Sequence, residues 1–261
     1  TSFFRDPDVF DAIATEVLPQ IVASLSPTAE VRVWCAGCAR GHEAYSLAML
    51  LEERRTDLLG GREFRVFATD VSRRAIRVAS RGEYPADQVE ALSPERVARF
   101  FERAGDDYRI HEDLRSRLVF AAHNLQRDPP FTQVDLVSCR NVLIYFRPAL
   151  QRRILELFHF SLRAHGVLVL GESETASPLE EGFGACAAPR LRIFARQGSH
   201  RLSHPARLRM RTPERVTHAR ASAADAAAHH LLKTQVPATA IVDEQGEVEH
   251  IFGQPTPFLV L

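Results

Sequence analysis

A chain of 261 residues with 33 Lys+Arg against 33 Asp+Glu carries no formal net charge, so it lacks the global positive field that accompanies binding to nucleic acid or anionic membrane. Hydrophobic residues make up 45% and charged residues 25% of the chain, the proportions of a globular domain long enough to bury a sizeable core. No apolar run approaches the length of a membrane span, no signal peptide opens the chain, and the four cysteines read as reduced thiols.

In chain order, Phe10, Ile13, Val17, Leu18, Ile21 and Val22 recur at a helical period across residues 7–25. Residues 31–35 form a short apolar run that predicts a buried strand. Gly37 and Gly41 then mark a turn, and Tyr45, Leu47, Ala48, Leu50 and Leu51 set a helix over 42–55. A second strand over 64–68 leads to Asp70, and a helix is predicted over 72–81. Strand, glycine turn, helix, strand and acid in that order make the first half of a nucleotide-binding α/β sheet.

From residue 84 to 118 the alternation breaks, which predicts a small inserted β-subdomain. Ser93-Pro94-Glu95 offers a serine cap with proline at the first helical position, and strand-like runs lie near 108–110 and 118–122. A strand over 134–138, an amphipathic helix over 148–163 and strands over 166–170 and 191–195 follow. Alternating strands and helices imply a doubly wound, Rossmann-like α/β sheet over 1–197. Between 190 and 220 there are nine arginines and a single acid, Glu214, while Lys233 is the only lysine of the chain. Residues 198–220, with Pro205 and Pro213 and no Phe, Tyr or Trp, read as an Arg-rich solvated linker rather than a docking surface. Beyond it, 221–235 is helical in pattern, and 240–248 reads as strand, turn, strand, which looks like the opening hairpin of an incomplete PAS-like α+β fragment over 221–261. The chain opens at Thr1 inside a motif and ends abruptly, so it is expected to be a piece of a longer protein.

The turn after the first strand carries Gly37 and Gly41 but no G-x-G-x-x-G. That argues against a pyrophosphate cofactor and suits S-adenosylmethionine, which has no phosphate. Asp70 ends its strand where a carboxylate can accept hydrogen bonds from both hydroxyls of a ribose, and equally where it could cap the helix beginning at Ser72. Spacing leaves those two readings even.

Three strings, Thr1-Ser2-Phe3-Phe4-Arg5, Val33-Trp34-Cys35-Ala36-Gly37-Cys38-Ala39-Arg40-Gly41 and Ser138-Cys139-Arg140-Asn141-Val142-Leu143-Ile144-Tyr145-Phe146, stand in an order that resembles the bacterial chemotaxis receptor methyltransferases, the CheR family. Those enzymes transfer a methyl group from S-adenosylmethionine to glutamate side chains of chemoreceptors and release S-adenosylhomocysteine. The resemblance runs from Thr1 to about Arg196 and implies a class I methyltransferase sheet. It implies cofactor contacts for Thr1, Arg5, Gly37, Glu43, Asp70, Asn124, Leu125, Arg140 and Asn141, and catalytic roles for Arg5 and Tyr145. Glu43 would meet the cofactor's ammonium group, although an acid in the first turn of a helix is also common without a ligand. The wording of Asn124-Leu125-Gln126-Arg127-Asp128-Pro129-Pro130-Phe131 and of Gly171-Glu172-Ser173-Glu174 is similar to hybrid chemotaxis proteins in which the methyltransferase is fused to a methylesterase and PAS segments. The implied partner is the cytoplasmic domain of a chemoreceptor or a related signalling protein, in the cytoplasm, with neither nucleic acid nor direct membrane insertion. The segment around Gly105-Asp106-Asp107 is shorter than the family's docking hairpin, which predicts no docking of a receptor-tail peptide. The family's helical N-terminal domain would lie before Thr1.

Arg40 and His42 depart from the family, replacing a small hydroxyl residue and an acid. Arg40 is expected beside the pocket, where it would crowd or repel a cationic cofactor. These departures motivate an alternative, a degenerate non-catalytic module that binds cofactor or partners. Cys35-Ala36-Gly37-Cys38 invites a redox or zinc reading, but no second pair stands at a zinc spacing, so no metal site is predicted and the cysteines are read as turn residues beside the cofactor. Asp128-Pro129-Pro130-Phe131 spells a motif of base-specific amino methyltransferases; here it precedes its strand rather than following it, which predicts a loop.

Overall fold

The computed structural model describes residues 2–187 and 189–198 and the strands 239–242 and 248–252, and the chain divides into two compact units, Thr1–Leu202 and Ser203–Leu261. The first unit opens with helices α1 (Pro7–Ala12) and α2 (Leu18–Ser24) on either side of a π turn over Ile13–Val17. The apolar period across 7–25 is therefore one helical rod with a widened turn. Pro19 has no N–H to give the carbonyl of Thr15, and the hydrogen-bond ladder slips at that point.

Strand β1 (Val31–Ala36), helix α3 (His42–Glu53), strand β2 (Phe64–Asp70) and helix α4 (Arg73–Arg81) follow in the predicted order, α3 ending two residues before the predicted 55 and α4 starting one after the predicted 72, which is its cap. The insertion comes next, as β3 (Glu83–Pro85), α5 (Ala86–Val89), α6 (Pro94–Phe100), β4 (Phe101–Ala104), β5 (Asp107–Ile110) and α7 (Glu112–Arg115). Its three strands make a separate antiparallel sheet in the order β3-β5-β4. Ser93 caps α6, its hydroxyl accepting the Arg96 N–H at 3.4 Å. β6 (Leu118–Ala122) leaves the insertion and pairs in parallel with β2, so that strand-like run belongs to the main sheet.

β7 (Val134–Cys139), α8 (Pro148–Ser161), β8 (Leu162–Leu170), β9 (Phe183–Ala185) and β10 (Ile193–Arg196) complete the unit. α8 stops at Ser161, short of the predicted Arg163, because Leu162 turns extended and opens β8. β10 starts later than the predicted 191, behind a 3-10 turn over Pro189–Leu191. The main sheet runs β6-β2-β1-β7-β8-β10-β9. β6 through β8 are parallel, and β10 lies antiparallel between β8 and β9. This is the doubly wound, Rossmann-like α/β sheet.

Every residue of β7 is buried, as a parallel strand covered on both faces requires. Its one acid is answered: the Asp135 carboxylate accepts the Arg32 N–H at 2.8 Å and the Arg163 guanidinium at 2.9 Å. Phe10, Leu18, Leu47 and Val66 belong to one core cluster, and Trp34, Val137, Phe158 and Leu168 to another. Each large side chain so buried contributes about 1.5–3 kcal/mol relative to exposure. The strand order reverses between β1 and β7, and an open α/β sheet leaves a crevice there, beyond the carboxyl ends of the strands.

In the second unit β11 (Thr239–Val242) and β12 (Val248–Phe252) pair antiparallel; the first covers the strand read from 240, the second begins at 248 where the reading ended, and the turn read between them lies outside the described residues. The helix read over 221–235 and most of the Arg-rich linker lie outside the described residues, as does Thr1. Among the described residues no helix is long and apolar enough to cross a membrane.

Candidate functional site

A cleft of about 490 Å³ opens at the carboxyl ends of β1, β2 and β7, a volume suited to a small-molecule ligand. Arg5, Gly37, Glu43, Asp70, Asn124, Leu125, Arg140, Asn141 and Tyr145 all line it. The structure thus brings together every described residue that the sequence singles out for cofactor or catalysis; Thr1 lies outside the described residues.

The floor is the turn between β1 and α3. The N–H groups of Gly37 and Cys38 both donate to the Thr69 carbonyl, at 2.7 and 2.8 Å, which ties the turn to the end of β2. Gly37 has φ +77°, and a Cβ on it would clash with Val142 Cγ2. Glycine is needed here because the loop after β7 crosses over it.

Asp70 links two loops. One carboxylate oxygen accepts the Ala39 N–H at 2.9 Å and the other the Ser72 N–H at 2.8 Å. The cap of α4 is Ser72, whose hydroxyl accepts the Ala75 N–H at 3.2 Å. Ser72 is thus the cap of the helix, and Asp70 supports it from outside through the Ser72 N–H. The carboxylate is held at the cleft wall with lone pairs to spare.

Glu43 and Arg140 form the polar wall opposite. Glu43 accepts the Ser138 hydroxyl and lies 3.7 Å from the Arg140 guanidinium. Burial pushes its carboxyl above the ordinary glutamate range, while the Arg140 charge and the Ser138 hydroxyl pull the other way. Arg140 is buried, donates to the Arg5 carbonyl at 3.1 Å and pairs with the Asp6 carboxylate. It therefore fixes the segment carrying Arg5 to the end of β7.

That segment is held from the other side too. The Phe4 N–H donates to the Ser46 hydroxyl at 2.9 Å, and the Phe3 ring packs against His42, Tyr84 and Phe101 at centroid distances of 4.9, 4.8 and 5.6 Å. The Arg96 guanidinium sits 3.7 Å over the Phe4 ring while forking onto Glu53 at 2.7 and 3.0 Å. Arg5 itself stays exposed at the cleft.

The loop after β7 is organised by Glu174, a residue without a role in the sequence reading. At 4% exposure its carboxylate accepts five backbone N–H bonds: from Gly171, Val142 and Leu143 at 2.7 Å each, Asn141 at 3.0 Å and Ile144 at 3.3 Å. They hold Asn141 at φ +59° and begin the 3-10 turn Leu143–Tyr145. Tyr145 stands 80% exposed at the rim. Asn124 caps its own turn, its side-chain oxygen accepting the Gln126 N–H at 2.9 Å. Ser138, Asp6 and Ser46 also escaped the reading: an acid or hydroxyl in a string does not announce which group it will meet, here Glu43, Arg140 and the Phe4 N–H.

Arg40 does not crowd the cleft as expected. Arg40 is exposed and is not among the lining residues; its carbonyl is held instead by the Tyr84 hydroxyl at 2.8 Å. His42 does touch the cleft, but it is buried, bonded through Nε2 to Gln88 at 2.8 Å and packed between Phe3 and Tyr84. Burial lowers its pKa, so it adds no positive charge at neutral pH.

Cys35 is a buried strand residue rather than a turn residue, while Cys38 lines the cleft. Both are free, and burial raises their pKa values, which suppresses thiolate chemistry. Asp128 lies in a loop, its carboxylate accepting the Asn124 N–H at 2.7 Å, and Phe131 packs on Trp34 and Phe67.

The family described as CheR methyltransferase, SAM binding domain, matches residues 1–191. The chain is 38% identical over 266 residues to an uncharacterized 104.1 kDa protein of Rhodobacter capsulatus, covering 99% of this chain and 28% of that protein. A chemotaxis protein methyltransferase of Listeria monocytogenes is 37% identical over 174 residues, 67% of this chain and 64% of its own. Chemotaxis protein methyltransferase 1 of Pseudomonas aeruginosa is 35% identical over 188 residues, 70% of this chain and 68% of its own. The chain thus spans 28% of the first relative and 64% of the second.

Proposed function

The chain belongs to the CheR methyltransferase family, and we propose that it methylates glutamate side chains of a chemoreceptor's cytoplasmic domain or a related signalling protein, giving glutamate methyl esters. The cofactor of the matched domain is S-adenosylmethionine. When bound, S-adenosylmethionine supplies an electrophilic methyl group and departs as S-adenosylhomocysteine.

The observation that carries the reading is the placing of charge in one cleft. Glu43 and Asp70 stand on its walls and Arg5 at its opening. Glu43, steadied by Ser138 and Arg140, suits an ammonium group. Asp70 has both oxygens fixed by backbone N–H groups and suits a pair of ribose hydroxyls. Leu125 and Asn124 offer an apolar and an amide surface to a base, and Asn141 and Gly37 close the cleft between them. A glutamate acceptor, with a pKa of about 4.3, is already anionic at neutral pH, so no general base is required. The protein's task is alignment and exclusion of water. Arg5 orients the acceptor carboxylate or anchors the cofactor's own. Tyr145, at the rim, holds the incoming side chain through its hydroxyl or supports a cation by its ring face. The reading places the protein in the cytoplasm, where buried thiols such as Cys35 and Cys139 stay reduced.

Incubating the chain with methyl-labelled cofactor and a receptor cytoplasmic fragment should deposit label that alkali releases, because esters hydrolyse there. Alkali-stable label, or none, would overturn the proposal. Asp70→Ala should weaken S-adenosylhomocysteine binding at least roughly tenfold in a calorimetric titration, as befits loss of a charge-assisted hydrogen-bond pair.

A further inference from the structure

Helix α4 begins three residues after Asp70, and Val71 between them is 70% exposed and lines the cleft. Its sequence, Arg73-Arg74-Ala75-Ile76-Arg77-Val78-Ala79-Ser80-Arg81, contains four arginines and no acid. All four arginines are exposed, and among the described residues none pairs with a carboxylate. Several other arginines of the unit do meet a carboxylate, Arg96 through Glu53, Arg117 through Glu52 and Glu63, and Arg163 through Asp135; α4 is set apart by carrying four without one on a single helix face. At 100° and 1.5 Å per residue, positions 73, 77, 81 and 74 fall within roughly 100° of arc and ~12 Å of helix. The opposite side faces inward, with Ala79 buried and its carbonyl accepting the Tyr45 hydroxyl at 2.9 Å.

A helix that merely faced water would gain from acids at i+4 spacing; Arg73, Arg77 and Arg81 instead repel one another along one line. The stripe starts at the cleft mouth, whose own exposed cation is Arg5. We propose that α4 docks an acidic helical segment of the protein substrate, carboxylates spaced one turn apart meeting the guanidinium forks while the methyl-accepting glutamate enters the cleft. The proposal rests on the function set out above, since the acceptor is taken to be a glutamate among further acids.

The test uses the full chain and a fluorescent synthetic helical peptide with glutamate at every fourth position. Its binding is followed by anisotropy and its methylation with labelled cofactor. Wild type should bind the peptide, and raising ionic strength from about 0.01 to 0.1 M, which shortens the Debye length from about 30 to 10 Å, should weaken binding. Arg73→Gln/Arg77→Gln/Arg81→Gln should weaken it roughly tenfold and raise KM for the peptide, with S-adenosylhomocysteine affinity unchanged as proof of an intact cleft. Arg77→Glu should regain affinity for a peptide whose facing glutamate is replaced by lysine. No binding by wild type, or equal binding by the triple variant, overturns the docking face. Methylation at unchanged KM in that variant leaves the activity standing and removes α4. Binding that needs α4 without any methyl label leaves α4 standing and removes glutamate methylation.

Discussion

Five backbone donors converge on the carboxylate of Glu174, which is only 4% exposed. Its two oxygens between them offer enough acceptor sites for such a cluster of N–H groups. The carboxylate thereby fixes a loop that local propensity would not hold: Asn141 sits in the left-handed region, and Val142 presses on Gly37, where even a Cβ would clash. Glu174→Ala should leave several buried N–H groups without acceptors, at ~1–3 kcal/mol for each one that water does not reach. A loss of at least about 2 kcal/mol in urea unfolding is therefore predicted, together with weaker S-adenosylhomocysteine binding. Glu174→Gln keeps one acceptor oxygen but turns an amide NH2 toward other donors, so it should fall between alanine and wild type. Equal stability for all three proteins would show that the loop holds itself. The sequence shows Glu174 only as one acid in a Gly-Glu-Ser-Glu string. Neither burial nor the convergence of donors is written in a string, and Glu172, two residues earlier, is exposed.

Among the elements, the stretch before α1 shows how a site residue on a short peptide gains a fixed position. Phe3 fills a box of His42 from α3, Tyr84 from β3 and Phe101 from β4. The insertion therefore reaches the cleft through a core contact, and the residue that replaced an acid at position 42 is part of the box wall. Phe3→Ala should free the segment and misplace Arg5. Methyl transfer is expected to drop roughly tenfold or more, since alignment is most of the chemistry, while S-adenosylhomocysteine affinity, held by Asp70 and Glu43, falls less. Equal losses in both would mean the segment serves binding alone. The elements that were legible are those with strong patterns: β1 and β7 as apolar runs, α3 and α8 by period. β4 went unread because, of Phe101-Glu102-Arg103-Ala104, only Phe101 is buried. β3 is three residues ending in proline, which strand signals count against. The end of α8 was overshot because Leu162 and Arg163 suit a helix as well as the strand they enter.

At the scale of the molecule, the cleft gathers loops far apart in the chain: the Arg140 to Asp6 pair alone closes 134 residues. The sequence strings name these residues without saying that they touch, since pairing across the sheet is a property of strand order. A ligand bridging the loops must therefore stabilise the whole first unit, by RT ln(1 + [L]/Kd), or about 2.7 kcal/mol at a hundredfold excess over Kd. For a domain of this size that is roughly 5–10 °C in Tm. The increment should depend on pH through Glu43. Its carboxyl is raised above the ordinary 4.5 by burial, and an ammonium partner needs it anionic, so binding must expel the proton once pH falls through that raised pKa. Without ligand the sign is opposite: a carboxyl with a folded pKa above its unfolded one favours the folded state on protonation. His42, its pKa lowered by burial, costs stability as pH falls below about 6.5, and it touches the cleft, but it is present in Glu43→Gln as well. The difference between thermal scans with and without S-adenosylhomocysteine, compared between wild type and Glu43→Gln, therefore isolates Glu43. It should be full at pH 8, shrink as pH falls into the raised Glu43 range above 4.5, and be small and nearly flat in Glu43→Gln. An increment that survived undiminished down to pH 4.5, or that Glu43→Gln retained, would remove Glu43 from the ammonium site and leave Asp70 as the acid that holds the cofactor.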